Sequence, residues 1–260
     1  MFLLRGPDAA SEGCPPLGLY LTEPARGLVD LASLPLAALW LPAAPRGDGH
    51  AVLVLPGLLA SDASTLPLRQ FARRLGYDVH GWELGRNRGP TDAVLDGLPA
   101  ALKNLADRSG AAVSIIGWSL GGIYARELAR EHPGLTRQVI TLGSPFALPE
   151  SAHTRADGAY LRRSREHARR RLPTREDVAR PIGVPSMAVY SRNDGIVCWQ
   201  NCIEAETALH ANVEVRCSHL GFGVDPATLW LIANRLAAPP GQQPPFRPPL
   251  LLRPLYPAPR

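Results

Sequence analysis

The sequence predicts an α/β protein with a doubly wound, mainly parallel sheet of six strands. Three observations support this prediction. Short apolar segments alternate with helical patterns between residues 50 and 238. Residues 51–55 are continuously apolar, which is typical of a strand covered on both faces, and residues 111–116 form a second apolar run. The chain has 260 residues, of which 45% are hydrophobic and 20% charged, so it can bury a large core and is not globally disordered.

Local residue patterns mark where the predicted strands and helices begin and end. His50 begins a run that ends at Pro56-Gly57, and Asp225 followed by Pro226 marks a helix start. Pro99 should kink the helix that contains it or mark its start. The predicted strands are residues 50–55, 77–82, 112–116, 138–142, 186–191 and 212–217, and the predicted helices are 64–75, 92–108, 120–132, 159–172, 198–209 and 225–236.

Residues 1–49 are expected to form a helical extension packed on the core domain, which spans residues 50–238. Residues 28–44 are strongly apolar but interrupted by Asp30, Pro35 and Pro42, and they are too few for a membrane span. We interpret them as a helix on the domain, with contact to a lipid surface as a weaker alternative. The first sixteen residues contain no signal-peptide core, so a cytoplasmic location is expected.

Residues 150–182 interrupt the alternation and predict a helical, lid-like insertion between the strands at about 138–142 and 186–191. Residues 155–180 contain nine arginines and four acidic residues, which accounts for the formal net charge of +5. One local basic segment argues against a general nucleic-acid surface. Residues 239–260 are proline-rich and predict an extended arm without helix, which could reach a second subunit.

The cysteines offer no strong metal pattern. The spacing of Cys198, Cys202 and Cys217, the last followed by His219, matches no common zinc motif. Neither a metal nor a cofactor is expected. A disulfide from Cys217 to Cys198 or Cys202 stays open at this stage.

A candidate nucleophile lies in the pentapeptide Gly117-Trp118-Ser119-Leu120-Gly121. An apolar strand precedes it and a helical pattern follows, which is the context of a nucleophile elbow. The serine must project from a strained turn, and a side chain at either glycine would collide with the flanking elements.

Partners for this serine follow two later strands. Asp194 comes after the fifth predicted strand and His219 after the sixth. Ligand crevices in parallel sheets lie beyond the carboxyl ends of the strands, so these side chains should meet Ser119 there. The chain order Ser, Asp, His is that of a known serine hydrolase topology. Asp225 is the main rival for the acid, although capping a helix explains it better.

From about residue 50 to residue 236 the chain resembles α/β-hydrolases of the serine esterase and lipase type, in the shorter six-stranded version. The resemblance implies acyl transfer through an acyl-enzyme on Ser119. It also implies an oxyanion hole made by the backbone N–H groups of Leu58 and Leu120. Many members have His-Gly where this chain has Pro56-Gly57, which affects the shape of the substrate site more than the backbone donors.

Apolar residues flank the strand ends around this site and predict a pocket for a small ester with an apolar acyl group. Besides the residues of the oxyanion hole they are Leu59, Trp118, Phe146, Leu148, Leu220 and Phe222. The favoured function is a carboxylic ester hydrolase. Two alternatives stay open: an acyltransferase or thioesterase with the same triad, and a non-catalytic binding protein of the same fold.

Overall fold

The computed structural model describes residues 15–147, 154–155 and 175–257. Within them lies a six-stranded sheet in which every neighbouring pair of strands is parallel. The strand order is β2-β1-β3-β4-β5-β6, which confirms the predicted sheet. The strands are β1 (Ala51–Leu55), β2 (Asp78–Gly81), β3 (Val113–Trp118), β4 (Thr136–Leu142), β5 (Ser186–Ser191) and β6 (His210–Val215). The strand order changes direction between β1 and β3, where ligand crevices form in such sheets.

Helices cover both faces of this sheet. The described α-helices are α1 (Leu17–Ala32), α2 (Leu34–Ala37), α3 (Leu66–Arg74), α4 (Asp92–Ser109), α5 (Leu120–Glu131), α6 (Arg175–Ala179) and α7 (Pro226–Leu236). One hydrophobic cluster joins one face of the sheet to α3 and α7, and a second joins the other face to α4 and α5. Buried apolar residues therefore lie on both faces, as the continuous apolar strands predict.

Local signals set the helix ends. The Thr91 hydroxyl accepts a hydrogen bond from the N–H of Val94 at 3.3 Å and caps α4, and Gly110 follows this helix with φ 65°. The Asp225 carboxylate caps α7 in the same way, through the N–H of Thr228 at 2.8 Å. Pro99 lies inside α4 and does not mark its start.

The prediction of a helix at residues 198–209 is wrong. Only a short 3-10 helix, Trp199–Cys202, forms there. The backbone of Glu204 bonds instead to the Asn212 side chain at the start of β6, with its N–H to Oδ1 at 2.9 Å and its carbonyl to Nδ2 at 2.8 Å. These bonds take the backbone groups that a continued helix would use.

The C-terminal tail is more ordered than the proline content predicts. A 3-10 helix spans Leu250–Leu255, with Leu252 and Tyr256 buried against the core. The Tyr256 hydroxyl donates to the carbonyl of Ala227 in α7 at 2.7 Å. The tail therefore packs on its own domain through these two side chains and the Tyr256 hydrogen bond.

Helix α1 has an unusual orientation. We expected a helix at residues 28–44, whereas α1 ends at Ala32 and turns its apolar side chains to solvent: Leu28 is 67% exposed and Val29 69%. Of the sixteen residues of α1, all of them described, only Glu23 is buried, at 2% exposure. The usual pattern of an amphipathic helix is reversed here. None of the described helices has the length and hydropathy needed to cross a bilayer.

No disulfide joins Cys217 to Cys198 or Cys202. Burial raises the pKa of the Cys202 and Cys217 thiols well above the usual value, so both stay protonated and unreactive. The predicted insertion at residues 150–182 falls mostly outside the described residues, which include its Thr154, Arg155 and the segment containing α6.

Candidate active site

Ser119 lies at the sharp turn between β3 and α5. Its backbone has φ 53° and ψ −120°, a strained conformation for a residue with a side chain. The Ser119 N–H donates to the carbonyl of Leu142, at the end of β4, at 2.8 Å. The surrounding sheet therefore holds Ser119 in a strained conformation that it would not keep in an isolated turn.

Close packing around the turn requires small residues. A side chain at Gly121 would overlap the carbonyl of Leu55, at the end of β1. A Cβ at Gly57 would lie 3.2 Å from the Cβ of Ser119. The loop after β1 is thus packed directly against the serine, and it brings Leu58 beside it.

Asn87 fixes the loop after β1, and the sequence analysis assigned no role to this residue. Its buried side chain donates to the carbonyl of Pro56 at 2.9 Å, and its own carbonyl accepts from the N–H of Leu59 at 2.7 Å. Leu59 has φ 63°, so the loop is held in a second strained turn. No local sequence pattern indicates this role, because the Pro56 carbonyl that Asn87 binds lies 31 residues earlier in the chain.

Asp194 and His219 form a buried pair at the ends of β5 and β6. Nδ1 of His219 lies 2.5 Å from Oδ2 of Asp194. The other carboxylate oxygen, Oδ1, accepts from the N–H groups of Ile196 at 2.8 Å and Val197 at 2.7 Å. The carboxylate is therefore fixed in orientation and holds the Nδ1 edge of the imidazole.

The surroundings of His219 favour its charged form. Burial opposes protonation, but the charge and hydrogen bond of Asp194, with the charge of Glu23, outweigh it and raise the pKa of His219 above its ordinary value. The Trp118 indole donates to the carbonyl of His219 at 3.1 Å. The ring of Phe222 stands edge-on to the imidazole, with the ring centroids 6.0 Å apart.

The two loops that carry this pair are bonded to one another. The Ser191 hydroxyl donates to the carbonyl of Cys217 at 2.6 Å, and the Asn193 side chain donates to the carbonyl of Arg216 at 2.7 Å. Helix α1 adds Glu23, whose carboxylate accepts backbone N–H groups from both loops. No sequence pattern predicted a role for Glu23.

A cavity of about 350 Å³ opens beside Ser119 and His219. Four of the predicted pocket residues line it: Leu58, Leu59, Trp118 and Leu220. Leu120, Phe146 and Phe222 do not line it, and all three are buried. The guanidinium carbon of Arg126 lies 4.0 Å from the centre of the Phe146 ring. Leu148 lies outside the described residues. The cavity lining that the sequence analysis missed is Tyr20, Ala60, Ser64, Arg155 and Ile196.

Leu120 is the first residue of α5. The first N–H groups of an α-helix lack intrahelical acceptors and carry the positive end of the helix dipole. The amide next to Ser119 therefore belongs to a helix start that favours a negatively charged oxygen. Together with Leu58 on the adjoining loop, it can supply a pair of backbone donors.

Solved structures of hydrolases share this architecture. Lipase B of Aspergillus fumigatus aligns with a TM-score of 0.56 and 16% identity, covering 75% of this chain and 54% of its own, so the chain spans about half its length. The pyrethroid hydrolase PytH gives a TM-score of 0.52 and 18% identity, with 73% and 98% coverage. A structure from the study of the metagenome-derived lipolytic enzymes LipS and LipT gives 0.51 and 18%, with 74% and 93% coverage.

No protein family model matches the sequence, and no curated protein matches it. At such low identity the structural matches establish the architecture alone. The parallel sheet, its strand order and these matches agree: the chain has the α/β-hydrolase fold.

Proposed function

We propose that the chain hydrolyses carboxylic esters through an acyl-enzyme on Ser119, with His219 as general base and Asp194 as its orienting acid. One observation carries this proposal. Ser119 on its strained turn and His219, already paired with Asp194, open on the same mainly apolar cavity. A nucleophile, a base and a third group that orients the base are the parts that acyl transfer needs.

In the first step, Oγ of Ser119 attacks the ester carbonyl carbon while Nε2 of His219 takes the hydroxyl proton. The tetrahedral intermediate collapses, the bond to the alcohol oxygen breaks, and His219 returns the proton to that oxygen. Water then attacks the acyl carbon while His219 takes its proton. The bond to Oγ of Ser119 breaks, and His219 returns the proton to Oγ, which releases the carboxylic acid and restores the serine. The Asp194 carboxylate stabilises the imidazolium that forms in both steps.

Negative charge develops on the carbonyl oxygen in both steps. The amides of Leu58 and Leu120 are the donors we assign to it. Loss of one such donor typically raises a barrier by about 3–4 kcal/mol. The hydrogen bonds of Asn87 maintain the loop geometry on which the Leu58 donor depends.

The cavity indicates the substrate class. Its lining is mostly aliphatic and aromatic, which suits an apolar acyl group. A volume of about 350 Å³ is near the lower end of the range of about 300–1,000 Å³ for small-molecule pockets. We therefore expect short to medium acyl chains. The structural neighbours, described as a lipase, a pyrethroid hydrolase and lipolytic enzymes, support the assignment to hydrolases.

A panel of p-nitrophenyl esters of increasing chain length tests the proposal. The wild type should hydrolyse the shorter esters best, and Ser119→Ala should reduce kcat by about 10⁴-fold or more. Full activity in the variant would remove Ser119 from the mechanism. No hydrolysis of any ester by the wild type would favour a binding protein, and transfer to an added alcohol in competition with water would favour an acyltransferase.

A further inference from the structure

Helix α1 supplies one carboxylate that contacts both loops of the candidate triad. Oε1 of Glu23 accepts the N–H of Leu220 at 2.9 Å, and Oε2 accepts the N–H of Gly195 at 3.0 Å. Leu220 directly follows His219, and Gly195 directly follows Asp194. A single side chain therefore bridges the residues adjacent to the base and the acid.

Glu23 is fully integrated into the surrounding hydrogen bonds. It is 2% exposed, and Arg26 donates to its Oε2 at 2.6 Å. The Arg26 guanidinium also donates to the carbonyl of Leu19 at 2.7 Å and to that of Asn193 in the acid loop. Burying an ionised carboxylate is unfavourable unless it is paired and hydrogen-bonded, and both conditions are met here. The arrangement is thus a built contact and not an incidental one.

A second carboxylate of α1 and two glycines complete the contact. Asp30 accepts the backbone N–H of Ser218 at 2.9 Å and its hydroxyl at 2.6 Å. A side chain at Gly195 would overlap the carbonyl of Leu19, and one at Gly221 would overlap the Asp30 carboxylate. Both loops therefore have glycine where α1 approaches them most closely.

We infer that Glu23 is a positioning residue for Asp194 and His219, and that α1 is part of the active-site architecture although it precedes the hydrolase sheet. This inference rests on the proposed function. Glu23 does not line the cavity and acts through the two loops. Its carboxylate fixes the spacing between them, on which the alignment of acid, base and serine depends. A displacement of about 1 Å in such a site can cost about 100-fold in rate.

The charge of Glu23 distinguishes the inferred role from a purely structural one. Among the described residues, the charged groups near His219 are Asp194 on the acid loop, Glu23 with its partner Arg26 and Asp30 on α1, and Arg155 on the rim of the cavity. The negative charge of Glu23 contributes to the raised pKa of His219. Removing that charge while keeping the shape of the side chain should lower this pKa, which a purely structural role would not do.

The test compares Glu23→Gln and Glu23→Ala with the wild type. Glutamine keeps one acceptor and the shape, so kcat/KM on the alkaline plateau should fall about 10-fold, and about 100-fold for alanine. The acidic limb of the pH profile should move to lower pH in Glu23→Gln. Glu127→Gln is a matched control, because Glu127 forms the same i,i+3 pair with Arg130 but lies on α5 away from the loops. It should leave both readouts unchanged.

Two further measurements separate failure of the inference about Glu23 from failure of the proposed function. Titration of the His219 imidazole by NMR needs no turnover, so an unchanged pKa in Glu23→Gln overturns the inference even if the chain hydrolyses no ester. If the Glu23 variants do not fold, Gly27→Ala tests the same contact, since its new Cβ would lie 3.0 Å from that of Leu220. It should lower kcat/KM several-fold without lowering Tm. Wild-type kinetics in Gly27→Ala would refute the role of α1, whereas activity in Ser119→Ala would refute the proposed function instead.

Discussion

Substitution of Asp194 by asparagine should reverse the tautomer of His219. Oδ1 of Asp194 accepts the N–H groups of Ile196 and Val197 at 2.8 and 2.7 Å, so an asparagine would keep its carbonyl oxygen there. Its NH₂ group would then face Nδ1 of His219, which must become an acceptor. The imidazole proton moves to Nε2, the nitrogen that receives the proton of Ser119 in the proposed mechanism. We expect kcat to fall about 10⁴-fold, equivalent to about 5.5 kcal/mol of barrier.

The assay is steady-state hydrolysis of a short p-nitrophenyl ester, with thermal unfolding followed by circular dichroism to establish that the variant is folded. Asp225→Asn is the matched control. Asp225 also accepts a backbone N–H, from Thr228 at 2.8 Å, and asparagine caps helices about as well as aspartate. It should keep wild-type kcat. Near-normal turnover in Asp194→Asn, or the 10⁴-fold loss in Asp225→Asn, would show that a different carboxylate orients His219.

Three further predictions concern pH, packing and stability. Because the pKa of His219 is raised above 6.5, kcat/KM should rise with pH and reach half of its plateau above pH 6.5; a midpoint below 6.5 in the pH–rate profile would contradict the site electrostatics. Gly121→Ala places a methyl group against the carbonyl of Leu55, so chemical denaturation should show a loss of about 1–3 kcal/mol together with reduced activity. The buried Arg126 is paired with Glu204 at 2.7 Å, and Glu204→Ala removes this carboxylate. The substitution should lower the free energy of unfolding by about 3–5 kcal/mol and leave kcat of the folded protein nearly unchanged. An unchanged denaturation midpoint would indicate that Arg126 finds another partner.

The sheet was predictable because the apolar composition of its central strands indicates that they are buried. β1 is continuously apolar and β3 is mostly apolar, and the structure buries every residue of both strands. The edge strand β6 was placed two residues late, since its residues between His210 and Val215 are only partly buried and give a weak apolar signal. The order of Ser119, Asp194 and His219 was visible because each follows a strand end.

The contacts of α1 were not predictable from the sequence. Glu23 bonds to residues 172 and 197 positions later in the chain, and nothing local to either partner indicates the pairing. The apolar pattern was also misleading, because hydrophobic periodicity predicts that leucines face the core. In α1 the polar bonds to two loops determine which side faces inward. Local composition indicates which residues are buried, but it does not indicate a hydrogen bond between segments that are distant in the sequence.

The way in which α1 is held also affects the response of the protein to heat. Detaching it exposes mainly carboxylates, a guanidinium and backbone groups, because apolar side chains such as Leu21 and Leu28 are already in water. Exposure of polar groups lowers the heat capacity, whereas exposure of the apolar core around the sheet raises it. Release of α1 and unfolding of the sheet therefore have different temperature dependences. We therefore expect thermal inactivation of the proposed hydrolase and melting of its sheet to be two separate quantities, the first determined by release of a helix whose bonds to the core are polar.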